Sequence, residues 1–173
     1  MTTLILTVAG ADRPGLVAAV ADVVDAHEGN WENSSLAELA GTFAGVIEVS
    51  VAEDRATALE ESLRGLDGLL VIAVRTGTEK DIDDAAGDAS RRLSIQVLGN
   101  DRPGIVREVT TVLNTHALSI EEIETETRDA AMAGGRLFEA SVTARVPESV
   151  DLDVLRRDLE RLAAEIQVDI TLG

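Results

Sequence analysis

The segments AGADRPGLV, Ala9 to Val17, and LGNDRPGIV, Leu98 to Val106, repeat one pattern at two places in the chain. Each lies between an alternating apolar run and a stretch with apolar residues at helical spacing, so each is predicted to join a strand to a helix. A shift of 89 residues carries Gly10 onto Gly99 and keeps both apolar periods in register. The chain therefore contains two copies of one structural unit.

The apolar periods predict the same elements in both copies. Leu4, Leu6 and Val8 alternate as in a half-buried strand, and Pro14 is placed in the first turn of the helix that follows. The further elements of the first copy are strands at 30–39 and 42–51, a helix at 54–66 and a strand at 69–74. Those of the second copy are strands at 93–98, 118–127, 136–146 and 166–172, with helices at 105–115 and 152–164. The order β-α-β-β-α-β predicts an α+β fold of ferredoxin-like units, each an antiparallel sheet with both helices on one face.

We expect two domains, 1–76 and 92–173, joined by the polar and acidic linker 77–91. Units of this size bury little surface alone, and each leaves one sheet face and two strand edges uncovered. Pairing within the chain and between chains is therefore expected, which favours a homo-oligomer.

The composition excludes several classes of function. The chain has 15 basic and 32 acidic residues, a formal net charge of −17 that would repel the phosphates of nucleic acid. It has no cysteine, which excludes disulfides, thiolate nucleophiles and zinc held by cysteine. No apolar run is long enough to span a membrane, and the first ten residues lack the basic region of a signal peptide. The expected location is the cytoplasm.

The repeated turn could hold a small anion. The backbone N–H groups of Gly15 and Leu16, and those of the equivalent Gly104 and Ile105, are predicted at helix N-termini, where the helix dipole favours a carboxylate. The aspartates just upstream, at positions 12 and 101, could cap the helices or bind an ammonium group. Together these groups describe an amino-acid site. The same residues also suit a purely structural turn, and spacing alone leaves both interpretations open.

The segments GADRPGLV and GNDRPGIVREVTTVLNTHALSIEEIETET each resemble the ACT domain, a small module that usually senses amino acids in regulatory proteins. Two such modules, with NWENS opening the second strand of the first copy, are similar to the glycine cleavage system transcriptional repressor family. The resemblance implies a non-catalytic regulator that binds a small amino acid, such as glycine, and acts through a protein partner such as a transcriptional regulator or an enzyme.

The resemblance also implies where the ligand lies. In pairs of ACT domains it often lies between the first loop of one domain and the start of the second strand of its neighbour. By position, the ligand-binding candidates are Asp12, Gly15, Leu16, Asn100, Asp101, Gly104 and Ile105 in the loops, with Asn30 and Ser119 facing them. Asn100 stands where the first copy has Ala11, so the second loop is predicted to be the better polar site.

Other residues carry weaker signals. His27 and His116 are equivalent and could be ligand contacts, pH sensors or metal ligands, but each also suits a helix end packed over the core edge. We predict no metal site, no cofactor and no catalytic residue, because the motifs of common catalytic sites are missing from the sequence. The alternative function is a ligand-free ACT module for interaction or dimerisation that controls an enzyme or regulator, which Ala11 and the bulky Trp31 near the first loop would favour.

Overall fold

The computed structural model of the chain describes residues 1–76, 91–130 and 135–173, and it divides the chain into two compact units. Unit 1 is Met1–Gly87 and unit 2 is Asp88–Gly173. The elements of unit 1 are β1 (Thr2–Ala11), α1 (Leu16–Ala26), β2 (Asn30–Leu39), β3 (Thr42–Val51), α2 (Glu53–Arg64) and β4 (Leu69–Thr76). Those of unit 2 are β5 (Arg91–Asn100), α3 (Ile105–Thr115), β6 (Ser119–Asp129), β7 (Arg136–Val146), α4 (Leu152–Ile166) and β8 (Val168–Leu172).

Both sheets have the topology that the repeat predicts. Their strand orders are β2-β3-β1-β4 and β6-β7-β5-β8, and all of the neighbouring strands are antiparallel. The predicted fold class, two ferredoxin-like units in tandem, is confirmed. In each unit the first strand is central, so the loop that leaves it for the first helix is fixed by pairing on both sides.

One apolar core holds each sheet to its helices. In unit 1 the even-numbered residues of β1 share one face of the sheet, because side chains alternate along a strand. The apolar residues of α1 form one stripe along the helix, and this stripe packs against that face. The fully buried members of this core include Leu4, Leu6, Val8, Val20, Val24, Ile47, Val49, Leu59 and Leu63. The core of unit 2 is equivalent and includes Ile95, Val97, Val109, Leu113, Val142, Ala144, Leu155 and Leu159.

The last helix is longer than the sequence pattern predicts. Ile166 was expected to begin the final strand, but it is the last residue of α4, where it is buried in line with Leu155, Leu159 and Leu162. Gln167 adopts a left-handed conformation with φ 56°, which stops the helix, and β8 then begins at Val168. The alternation of the final strand fitted a strand start at Ile166 equally well, and the backbone turn at Gln167 decides between the two.

Most of the predicted linker 77–91 lies outside the described residues. Arg91, its last position, is the first residue of β5. The domain boundaries at 76 and 92 therefore stay predictions. None of the helices in the described part of the chain is both long enough and apolar enough to cross a membrane.

Candidate functional site

The DRPG loops, Asp12–Gly15 in unit 1 and Asp101–Gly104 in unit 2, are type II turns followed by helices. Gly15 has φ 86° and ψ 2°, and the N–H of Leu16 donates to the carbonyl oxygen of Arg13 at 3.4 Å. These are the angles that a type II turn requires at its third residue, with proline preferred at the second. Gly104 repeats the geometry with φ 98° and ψ −9°. Pro14 therefore lies in the turn before α1, and its predicted place in the first turn of the helix is wrong.

The two loop aspartates do not cap the helices. Gly15 and Gly104 occupy the N-cap positions of α1 and α3, and neither helix has a side-chain cap hydrogen bond. Instead, the backbone N–H of Asp12 donates to Gly41 at 2.9 Å, and that of Asp101 donates to Arg136 at 2.8 Å. These bonds extend the strand pairing by one residue. Of the two roles expected for each carboxylate, the helix cap is excluded.

The loop of unit 2 gathers charged groups on both sides. The guanidinium of Arg102 donates to Glu108 in the first turn of α3 and to the carbonyl of Pro103 at 3.2 Å. The side chain of Arg136 lies 4.0 Å from the carboxylate of Asp101, and Arg107 lies 4.0 Å from Glu108. Cations and carboxylates thus alternate within a few ångströms around the exposed loop.

The equivalent loop of unit 1 lacks most of these groups. Asn100, Arg107, Glu108 and Arg136 correspond to Ala11, Ala18, Ala19 and Gly41. The loops share one backbone geometry, but their polar surroundings differ at four neighbouring positions.

The arginine of the motif is a residue that the sequence reasoning missed. In unit 1 the guanidinium of Arg13 donates to the backbone carbonyl of Asp67, just before β4. In unit 2 the equivalent Arg102 turns to Glu108 instead. The available signal was the repeat itself, because both arginines stand at the same place in it.

Leu16 and Ile105, both predicted near the ligand, are core residues that are 4% and 2% exposed. Their side chains pack against the sheets, and the backbone N–H of Leu16, predicted to meet a ligand, already donates to the carbonyl oxygen of Arg13. The exposed parts of the two loops are 12–15 in unit 1 and chiefly Asn100, Asp101 and Pro103 in unit 2.

Asn30 and Ser119 begin β2 and β6, far from the loop of their own unit. Asn30 pairs with Ser50, whereas the DRPG loop follows the other end of the sheet, where Ala11 pairs with Thr42. Eight residues of extended chain separate these ends, which is about 27 Å. One unit by itself therefore does not bring the two predicted halves of the site together.

A β-bulge next to each of these residues holds a glutamate. The pairing of β2 shifts register between Trp31 and Asn33, and that of β6 shifts between Ile120 and Glu122. The bulge residue is Glu32 in the first case and Glu121 in the second.

The two glutamates have different partners. Hydrogen bonds from the hydroxyl of Ser50 and the amide of Asn30 lower the pKa of Glu32. The pKa of Glu121 is also lowered, first by its hydrogen bond with Arg145 and then by Arg92. The amide of Asn30 is thus already bonded to a neighbouring carboxylate, 2.8 Å away.

The two histidines end α1 and α3 and link each helix to its neighbour. His27 bonds to the carbonyl of Val23 at 2.8 Å, and its other ring nitrogen lies 3.2 Å from Ser62 on α2. His116 lies 2.8 Å from the carboxylate of Asp158 on α4. Among the alternatives, this geometry favours the structural one.

Two ACT-domain models match the chain, one over residues 2–75 and the other over residues 88–169. The chain belongs to the ACT-domain family. The two matches coincide with the two repeated units, so both DRPG loops are loops of ACT domains.

Relatives extend the similarity to both ACT domains together. The glycine cleavage system transcriptional repressor of Escherichia coli is 26% identical over 94% of this chain and 85% of its own length. The crystal structure of an unknown protein from Galdieria sulphuraria has a TM-score of 0.83 and 31% identity over 99% of this chain and 97% of that one. A crystal structure provisionally described as a glycine cleavage system transcriptional repressor shares the fold, with a TM-score of 0.72 and 21% identity over 99% and 96% of the chains. These similarities support a regulatory role.

Proposed function

We propose that this protein is a non-catalytic, cytoplasmic regulator that binds a small amino acid, such as glycine, at the DRPG loop of unit 2 and thereby modulates a protein partner. ACT domains typically bind small amino acids, and the relative from Escherichia coli is a repressor of the glycine cleavage system. A partner that is itself a transcriptional regulator would contact DNA in its place, in keeping with the net charge of −17.

The observation that carries this proposal is the difference between the two loops. A zwitterion needs a donor for its carboxylate and an acceptor for its ammonium group. In unit 2, the donors would be the backbone N–H of Gly104 and the exposed guanidinium of Arg136, which also donates to the hydroxyl of Thr127. The carboxylate of Asp101 and the side-chain oxygen of Asn100 supply acceptors. Unit 1 keeps the backbone turn and one aspartate but has alanine or glycine at four of the flanking positions.

A thermal-shift screen of the full chain against the proteinogenic amino acids tests the proposal. A ligand at about 100 times its Kd adds about 2.7 kcal/mol of stability, which corresponds to a rise in Tm of about 5 to 10 °C. We expect glycine or another small amino acid to give this shift at millimolar concentration. No shift with any amino acid would contradict ligand binding and favour the ligand-free interaction module.

Matched variants locate the site. Asp101→Ala and Asn100→Ala should abolish the ligand-dependent shift, whereas Asp12→Ala, the same change in the loop of unit 1, should leave it intact. If Asp12→Ala removes the shift and Asp101→Ala does not, the ligand binds at the loop of unit 1 instead.

A further inference from the structure

The first turn of α3 places a carboxylate against the DRPG loop of unit 2. A Cβ on Gly104 would lie 3.6 Å from Oε1 of Glu108 and 4.0 Å from a guanidinium nitrogen of Arg102. That guanidinium donates both to Glu108 and to the carbonyl oxygen of Pro103. Arg102 and Glu108 are therefore paired directly beside the glycine whose N–H is proposed to meet the ligand.

This ion pair is accessible to a competing anion. The side chains of Arg102 and Glu108 are 38% and 27% exposed. An ion pair that water reaches contributes little to stability, so a second carboxylate can replace the first at small cost. Arginine also suits the exchange, because its planar guanidinium binds any carboxylate through two parallel hydrogen bonds.

Unit 1 shows where the arginine of the motif turns when the glutamate is missing. Ala19 stands at the position of Glu108. The equivalent arginine, Arg13, donates to the backbone carbonyl of Asp67, just before β4. Both loops have the same turn, with glycine at positive φ, so the backbone does not fix the direction of the arginine. A carboxylate at the start of the helix decides it.

We infer that Arg102 binds the carboxylate of the ligand, and that Glu108 holds this arginine beside Gly104 until the ligand displaces it. The inference rests on the proposed function, since it concerns the same loop and the same ligand. It identifies Arg102 as a binding residue and Glu108 as the residue that lowers the affinity.

The charges around the loop require this competition. A ligand carboxylate at the N–H of Gly104 would come within a few ångströms of Glu108, and two like charges at that distance repel each other. The nearest further cation is Arg107, which lies 4.0 Å from Glu108 but is 82% exposed, so it neutralises little of that repulsion. Asp101 has a different cation, Arg136, and remains as the acceptor for the ammonium group.

The opposite role for Glu108 is that of an acceptor for the ammonium group of the ligand. Its bond with Arg102 argues against that role, because a guanidinium in contact with the carboxylate would repel the incoming ammonium group. The two roles predict opposite effects of removing the charge of Glu108.

Isothermal titration calorimetry of the full chain and of Glu108→Gln, with glycine, alanine and serine, tests the inference. We expect Glu108→Gln to lower Kd about three- to tenfold, because the ligand no longer has to break an ion pair. Glu122→Gln removes the same charge from an exposed position on β6 and should leave Kd unchanged. Binding by Glu108→Gln alone would also support the inference.

The failures of the two proposals are distinguishable. If the wild type binds an amino acid and Glu108→Gln binds it no more tightly, the inference is wrong and the proposed function stands. If neither protein binds any of the three amino acids, the proposed function fails and the inference fails with it.

Ligands without a carboxylate give a second readout. The amides of the same amino acids keep the ammonium group, so Glu108→Gln should gain no affinity for them. An equal gain for acids and amides would overturn the inference. Arg102→Gln should abolish binding of the acids with an unchanged circular dichroism spectrum, whereas Arg13→Gln, the same change in unit 1, should leave Kd unchanged. Full binding by Arg102→Gln would equally contradict the assignment.

Discussion

At the residue scale, the glycine of each DRPG loop is fixed by backbone geometry. Gly104 has φ 98°, in the left-handed region that a side chain makes costly, and Gly15 has φ 86°. Space is not the constraint, since a Cβ on Gly104 would come no nearer than 3.6 Å to any neighbour outside the adjoining residues. The turn requires glycine because of its conformation.

We expect Gly104→Ala to lower the free energy of unfolding by about 1 to 2 kcal/mol, because alanine is strained at this φ. Urea unfolding followed by circular dichroism measures the change. Gly104→Asn serves as the control and should cost less, since asparagine tolerates positive φ better. If both variants lost the same free energy of unfolding, the positive φ of Gly104 would not be the cause of the loss.

Aspartates before helices differ in what they do. Asp151 caps α4, and its carboxylate accepts from the N–H groups of Asp153 at 2.9 Å and Val154 at 3.3 Å. Asp101 precedes α3 without capping it. Asp151→Ala should therefore cost about 1 kcal/mol of unfolding free energy, whereas Asp101→Ala should cost less than about 0.5 kcal/mol. Chemical denaturation of the two variants checks this, and a larger loss for Asp101→Ala would reverse the assignment.

At the scale of elements, single side chains join the helices of each unit. The ring of His116 meets Asp158 at 2.8 Å, and Asp158 also pairs with Arg161 at 3.0 Å. The equivalent histidine of unit 1 meets a neutral hydroxyl at a longer distance, 3.2 Å. The histidine contact between the two helices is thus stronger in unit 2, between α3 and α4, than in unit 1, between α1 and α2.

A double-mutant cycle with His116→Gln and Asp158→Asn should give a coupling of about 1 kcal/mol. The same cycle with His27→Gln and Ser62→Ala in unit 1 should give a smaller value. Thermal or urea unfolding provides the four free energies of each cycle. A coupling of zero at His116 would mean that the contact does not stabilise the fold.

The lowered pKa of the bulge glutamate Glu121 predicts how the stability of the protein depends on pH. The pKa of Glu121 is lowered below its ordinary value of 4.5, so its ionised form stabilises the folded state above about pH 4.5. That stability is lost as the pH falls through the lowered pKa. Glu121→Gln should therefore be less stable than the wild type at neutral pH, with the difference shrinking in acid. Unfolding curves from neutral to acidic pH test this, and a difference that does not depend on pH would contradict it.

At the scale of the whole molecule, repulsion between like charges opposes folding. A net charge of −17 on 173 residues produces a repulsion that folding intensifies. Ion pairs such as Arg145–Glu121, at 2.7 Å, offset part of it. Because most of these pairs are exposed, each contributes little.

Salt should therefore stabilise the protein. Between about 0.01 M and 0.15 M NaCl the Debye length falls from about 30 Å to about 8 Å, and repulsion over the whole surface is screened. We expect Tm to rise by several degrees over this range and little beyond it. Differential scanning calorimetry measures the change, and a fall in Tm would show that ion pairs outweigh the repulsion.

Most of the fold could be predicted from the sequence. The alternation of Leu4, Leu6 and Val8 and the helical spacing of Val20 and Val24 fix which face of each element is buried. The duplication then confirms each assignment with a second copy. The apolar pattern gave the wrong element at Ile166, because a buried apolar residue fits the end of a helix as well as the start of a strand.

The candidate site could be predicted only in part. The sequence indicated both loops and the difference between Ala11 and Asn100. It could not show that Asp101 leaves α3 without a side-chain cap. Nor could it show that Arg136 lies near Asp101, because β7 reaches the loop only through strand pairing.

The sequence by itself determined the duplication, the order of elements and the acidic charge, because these depend on residues close together in the chain or on composition. Only the tertiary structure decided which distant side chains share a surface. Val46, Thr7 and Ile72 form one row, and Arg136 stands beside Asp101, because strand register sets such neighbours. Register depends on the pairing of whole strands, which no single stretch of sequence contains.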